Sequence, residues 1–404
     1  MASPPPRFFM YSGAAFPPPE ALLACPALRR MAPLAEPMAQ FYSELGVHRL
    51  LRSHPARMAD PAAAELFYVP WCPHLDQDAG RCNKTNHRGR AEGVAAALRA
   101  SPWWRRHNGS DHVYVCACVM MRSMLSSLWT ELGRAIHLRH HAAPRNKATP
   151  SACTVEIPYF NADFASTAAA AAFRAPGRAR PILAHFRGRV MNGERSALVK
   201  RYGGRARHLI RAEHGATAAR CNLNKCSAKA LAAHNFSATR HFDEMTRSTF
   251  CLVPVGDSPP SSRLYLAIVA GCVPVFLSDE FRGFAPHVVP WASFTLRFAQ
   301  AQLKSRAFDL TAELEAVAAD GARLGALQAA LRAHAPDVLY EEAGAAERLG
   351  SHILAVAGLA RRRVCQAGGG GAEAPPLAAD TIRTYGIAYD ERRGFDEVPA
   401  AYRA

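Results

Sequence analysis

Two doubly wound α/β domains facing a central cleft are what the sequence predicts, on three observations. Short apolar runs of strand length alternate with segments of helical periodicity along most of the chain, the mark of parallel sheets covered on both faces. The alternation runs once and begins again after an alanine-rich connector at 168–180, so 404 residues divide into two halves of ordinary domain size. Apolar residues make up 49% and charged residues 20%. That supplies sizeable cores and excludes a wholly disordered, collagen-like or coiled-coil chain.

The elements follow in order. Residues 1–6 (MASPPP) and 17–19 (PPP) are entry sequence, and Arg7 to Ser12 (RFFMYS) is a first strand. Met38 to Ser53 carries Phe41, Leu45, Leu50 and Leu51 at helical spacing. Asp60 to Glu65 has a helix-start pattern, and Leu66-Phe67-Tyr68-Val69-Pro70 is a buried strand. A helix is expected over 90–100, a strand over 111–115, a helix over 120–137 and a short strand over 155–158. These form a first domain, residues 1–172. The second domain, 173–363, has strands over 182–186, 207–210, 249–255 and 273–277. Helices over 196–202 and 263–270 lie between them, and closing helices over 302–334 and 341–363 follow. A run of four glycines at 368–371 opens a loose tail, 364–404.

Charge and cysteine content narrow the function. The net charge of +16 comes almost wholly from arginine, and Arg174 to Arg211 holds eleven basic residues against one acid, Glu194. Such a field suits a phosphate-bearing ligand or an acidic polymer. No zinc-finger spacing, RNA-recognition motif or basic zipper accompanies it, so nucleic acid is not the expected partner. Cys72/Cys82 and Cys221/Cys226 are spaced for local disulfides, whereas Cys251 and Cys272 sit in apolar runs and read as small core residues. Glycosylation acceptors at Asn83, Asn108 and Asn235 point to a secretory lumen. The longest apolar stretch, Leu264 to Leu277, has 14 residues and contains Gly271 and Pro274, too short to span a bilayer. A soluble chain without a signal segment is expected.

In parallel sheets, ligands bind outside the carboxyl ends of the strands. Two loops there carry anion chemistry. One is Arg187-Gly188-Arg189, with Arg195 nearby. The other holds Gly256, Ser258, Ser261, Ser262 and Arg263 at a helix start. Glycine lets backbone approach a ligand, hydroxyls and open helix N–H groups suit phosphate oxygens, and guanidinium forks pair with them. A diphosphate fits these features; a serine N-cap with ordinary turn chemistry is the plainer reading.

The block from Ser248-Thr249-Phe250-Cys251-Leu252-Val253-Pro254 through Ser262-Arg263-Leu264 to Gly271-Cys272-Val273-Pro274-Val275-Phe276-Leu277-Ser278-Asp279 closely resembles the exostosin family, glycosyltransferase family 47. So do its sequel at 284–294 and, upstream in the same order, Leu66–Pro70, Asp111-His112, Val155-Glu156-Ile157-Pro158 and His185-Phe186-Arg187-Gly188-Arg189. The resemblance implies a GT-B fold, with two Rossmann-like domains, the first for acceptor and the second for nucleotide sugar. It implies inverting transfer from a UDP-sugar to a glycan or glycoprotein, without a metal cofactor, in a type II Golgi membrane protein, with a homo- or hetero-dimer as a further possibility. Carried over by motif, Arg263 pairs with the donor diphosphate, Gly256, Ser258 and Ser262 shape its loop, and Arg187, Gly188, Arg189 and Arg195 form the facing one.

Two departures stand out. The family pattern has an acid three residues after the arginine, for the donor ribose; here the position is Leu266. Cys116 to Met121 is apolar where many members are polar. Both features open the alternative of a catalytically weak or silent relative that binds glycan or a partner. The acceptor base is expected at Asp76 or His74, which follow the Leu66–Pro70 strand at its carboxyl end. Asp111 and His112 precede their strand and read as structural. Asp76-Gln77-Asp78 also spells the Asp-x-Asp motif of metal-dependent GT-A transferases, a third alternative set aside because it lies in the acceptor half.

Overall fold

The computed structural model describes residues 4–17, 19–22, 42–83, 86–117, 125–140, 153–160, 167–188, 190, 192–212, 240–256, 261–279, 283–362 and 387–388. They form a mixed α/β structure built on two sheets. The first contains β1 (Phe8–Met10), β2 (Arg57–Met58), β3 (Leu66–Tyr68), β4 (His112–Val115), β5 (Ile136–Arg139) and β6 (Thr154–Glu156) in the spatial order β6-β5-β4-β3-β1-β2, all parallel. The second contains β7 (Ile182–Gly188), β8 (His208–Ala212), β9 (Ser248–Pro254), β10 (Val273–Leu277) and β11 (Leu296–Arg297) in the order β11-β10-β9-β7-β8, again parallel. Both orders reverse direction beside their first strand. This makes a topological switch point between β1 and β3 in one sheet and between β7 and β9 in the other.

The strands are parallel because helices cross between them, and the central ones are buried on both faces, so their runs are mostly apolar rather than alternating. β9 and β10 are buried at every position. On the first sheet pack α1 (Ser43–Arg52), α2 (Pro73–Asn83) and α3 (His87–Ala100); the second carries α4 (Gly193–Tyr202), α5 (Ser262–Val269) and α6 (Gly321–Val338). The last long helix, α7 (Ala345–Ala360), returns to the first sheet and packs on α1 and β6. One core therefore runs through both halves, joining Leu45, Val155 and Ile157 to Leu264, Tyr265 and Ile268.

Three expectations need correction. Residues 136 and 137, expected as the end of a helix, open central strand β5 (Ile136–Arg139). His137 and Arg139 disguise it. The His137 ring stacks on Tyr114 at 4.7 Å, and its Nε2 lies 2.9 Å from the Cys116 carbonyl, so a polar side chain is satisfied inside the sheet. Cys251 and Cys272 form a disulfide rather than two separate core thiols, because the register pairing Cys251 with Pro274 sets residue 272 beside β9. Cys72 is a buried thiol, not half of a local disulfide. Cys221 and Cys226 lie outside the described residues. Of the tail, Ile387–Ala388 (β12) pairs antiparallel with β6, and 363–386 and 389–404 lie outside the described residues.

Candidate functional site

The carboxyl ends of β7 and β9 flank the second switch point, and the predicted anion-binding residues converge there. Arg187 and Gly188 close β7, Val255 and the half-buried Gly256 follow β9, and α5 starts at the half-buried Ser262. Ser261 caps α5, its hydroxyl accepting from the Arg263 amide at 3.4 Å. The Arg263 guanidinium lies over the buried Phe186 ring, 4.9 Å from its centroid, and Nη2 donates to the Arg187 carbonyl at 2.8 Å. Gly188 makes room for this: a Cβ there would fall 2.5 Å from Arg263 Nη2.

Arg195 reaches the same ring from α4, at 5.8 Å, and its Nε donates to the Val255 carbonyl at 2.9 Å. Asn192 caps α4 by accepting from the Arg195 amide at 3.0 Å, and its Nδ2 bonds the same Val255 carbonyl at 2.9 Å. A flat apolar ring between two switch-point strands thus carries two guanidinium groups, stabilised by cation–π attraction. Arg189 and Ser258 lie outside the described residues.

Arg187 has a different task from the one expected. Its fork is turned inward, with Nε and Nη2 on Glu244 at 2.9 and 2.6 Å. Glu244 also accepts from Arg240 at 3.1 Å and lies 3.4 Å from His185 Nε2. Burial would raise this carboxyl, but hydrogen bonds from His185 and Arg187, with the Arg187 charge, outweigh it and hold it down at about 2. His185 stacks on His241 at 5.1 Å. Burial, before the nearby arginines, lowers both imidazoles and keeps them neutral. Arg187 therefore fixes the backbone carbonyl that holds Arg263. Sequence reasoning missed Glu244 and His241: an i,i+4 pair with Arg240 was visible, but not that β7 would supply the buried partner.

In the first half, His74 and Asp76 do follow β3 at its carboxyl end, but α2 turns both inward. Asp76 is fully buried, its carboxylate held by Arg90 Nε at 2.7 Å and by His87 Nδ1. His74 is 1% exposed, and its amide donates to Glu44, whose carboxylate caps α2. Asp111 and His112 are structural, as expected. Both are buried, 2.8 Å apart, with Arg106 on Asp111 at 3.0 Å and Tyr11 on His112 at 2.9 Å. Among the described residues, no group of three or more His, Cys, Asp or Glu is arranged to hold a metal ion.

A different carboxyl stands at the carboxyl end of a strand in the first sheet. Glu156 ends β6, half-buried, with Oε1 enclosed and without a hydrogen-bond partner among the described residues. Burial raises it to about 8. It acts electrostatically on Tyr265 of α5, whose hydroxyl is likewise enclosed and unpartnered. Leu266 beside it packs against the shared core.

Comparison with known proteins agrees with this architecture. The exostosin GT47 domain matches residues 31–312. The chain is 29% identical over 289 residues to a probable glucuronoxylan glucuronosyltransferase of Arabidopsis thaliana, covering 66% of this chain and 56% of that protein. It is 28% identical over 250 residues to a probable xyloglucan galactosyltransferase of the same plant, covering 60% and 53%. It is 27% identical over 278 residues to a probable glucuronosyltransferase of Oryza sativa subsp. japonica, covering 66% and 61%. The match thus spans little more than half the length of these relatives. With a GT47 domain over most of the chain and two sheets of parallel strands, each with a switch point, the chain belongs to the exostosin family of glycosyltransferases.

Proposed function

We propose that this chain transfers a sugar from a UDP-sugar to a polysaccharide or glycoprotein glycan by inverting displacement, with the second half binding donor and the first half facing acceptor. The observation that carries the reading is the placement of Arg263. Its guanidinium stands at the start of α5, between β7 and β9, on an aromatic platform beside a glycine that leaves it room. A leaving diphosphate needs fixed positive charge and open N–H groups where its own charge develops, and an arginine at a helix N-terminus supplies both without a cation. Arg195 adds to that field; Gly256 and Ser262 border it. The names of the relatives bring glucuronic acid, xylose and galactose into the donor set and xylan or xyloglucan into the acceptor set.

Arg263→Ala tests the assignment by calorimetry with UDP. Loss of a charge-assisted contact of about 1.5–3 kcal/mol weakens binding about 10- to 100-fold; unchanged affinity overturns the donor site. The same reaction run in EDTA keeps its rate, since this mechanism uses no metal.

Leu266 favours a second reading, in which the chain is a silent glycan-binding or complex-forming relative. No acid stands in α5 to hold a ribose. Absence of UDP binding by the native chain supports that reading. A Golgi location, and a homo- or hetero-dimer, are part of the proposal by family; among the described residues no helix is long and apolar enough to cross a membrane.

A further inference from the structure

We infer that Glu156, not Asp76 or His74, is the group that accepts the proton of the attacking acceptor hydroxyl, with the Tyr265 hydroxyl facing it across the lobes. The inference rests on the transferase reading above and names its missing catalytic residue.

Three geometric observations carry it. First, Glu156 closes β6, at the carboxyl edge where ligands of parallel sheets sit. Second, an enclosed carboxyl oxygen on β6 and an enclosed phenol on α5 are both without hydrogen-bond partners among the described residues, on elements whose Val155, Ile157 and Tyr265 share one core. Leaving such groups unsatisfied costs about 1–3 kcal/mol each, so folds place them together where a polar ligand completes them. Third, α5 links this pair to the donor end. Arg263 and Tyr265 are two residues apart, about 3 Å along the helix and about 200° around it. Arg263 accordingly reaches back to the Arg187 carbonyl, while Tyr265 faces forward to Tyr159 of the first half, ring centroids 6.1 Å apart. One helix thus holds the leaving-group cation on one side and borders the carboxyl on the other.

The step balances. The acceptor oxygen bonds to the sugar's anomeric carbon as the bond from that carbon to the diphosphate oxygen breaks. UDP leaves with the electron pair, and the hydroxyl proton passes to the Glu156 carboxylate and from there to water.

The titratable and charged groups around Glu156 are Tyr265 from α5, on which Tyr159 and Tyr340 also act, and Arg139, its register partner on β5. His140 stacks on Tyr159 at 3.7 Å, and Ser43 bonds both His140 Nε2, at 2.6 Å, and the Pro158 carbonyl, at 3.1 Å, which fixes the wall behind the site. A carboxyl held at about 8 by burial is a strong base once ionised. The rate must therefore rise with pH through that value.

The test is Glu156→Gln in the full chain. UDP release from UDP-glucuronic acid, UDP-xylose and UDP-galactose is followed from pH 6 to 9.5 with xylo-oligosaccharide acceptors, alongside UDP calorimetry and thermal unfolding. The expected result is a loss of about 100- to 10,000-fold in kcat/KM. The rising limb near pH 8 disappears with it, while UDP affinity is unchanged and the unfolding midpoint is equal or higher. A variant as active as the native chain, or one that keeps the limb, overturns the inference and leaves the transferase reading intact. A native chain that neither binds UDP nor releases it from these donors overturns that reading, and the inference falls with it.

Discussion

Glu244→Gln should weaken the second half of the chain and erase one acid limb of its stability. The carboxylate is 5% exposed and neutralises Arg187, whose side chain is 14% exposed. Removing one member of a buried pair strands the other charge, at about 3–5 kcal/mol. Glutamine keeps the shape and one acceptor oxygen, which places the loss near the lower figure, about 3 kcal/mol. At about 2–4 °C per kcal/mol for a unit of this size, the midpoint at pH 7 falls by about 6–12 °C. The pH dependence gives the sharper readout. Glu244 titrates at about 2 in the folded chain against an ordinary 4.5, so its contribution is present above 4.5 and is lost as pH falls towards 2. Native and variant melting curves, recorded by circular dichroism, therefore differ most at neutral pH and converge near pH 2. A gap below about 1 °C at pH 7, or one that persists unchanged at pH 2, would refute the reasoning.

Two further outcomes follow from contacts at the same end. Gly188→Ala puts a methyl where Arg263 Nη2 now lies, 2.5 Å away, and only the end of a side chain must move. UDP affinity should fall about tenfold, as one charge-assisted contact of about 1.5 kcal/mol is misplaced, with the melting midpoint within about 2 °C of native; calorimetry and unfolding together check it. Replacing both Cys251 and Cys272 by alanine opens a disulfide spanning 21 residues, which should cost about 3 kcal/mol of stability by chain entropy, measured in urea.

Periodicity and strand length made much of the second half legible, because its central strands are largely apolar runs: Val273 to Leu277 is strand from end to end, as expected. β5 was hidden because its two polar residues, His137 and Arg139, are buried in a central strand, and a sequence does not say when a histidine will be satisfied by a ring and a carbonyl. The Cys251–Cys272 disulfide was hidden for a related reason, since it depends on which strands are neighbours and in what register. At the site, composition and loop position pointed to Arg195, Arg263 and Gly188, but not to the division of labour among the arginines. Arg187 and Arg263 look alike in sequence; only the approach of Glu244 from residues 240–246 turns one inward. Asp76 failed as a candidate on burial and on its ties to Arg90 and His87, although its position after β3 was right.

Leu266 and Glu156 are best understood together. Residues 263 and 266 are three apart, neighbours on one face of α5. An acid at 266 would share the charge of Arg263, and a leucine there leaves α5 without any carboxylate. The helix is then purely electropositive at its start, which favours a diphosphate leaving group more than a neutral ribose. A carboxyl is nevertheless within electrostatic reach of this helix, because Glu156 at the end of β6 acts on Tyr265, the residue next to Leu266. Glu156 belongs to the half that reads as the acceptor side, and Tyr265, on which it acts, lies about 200° round α5 from Arg263.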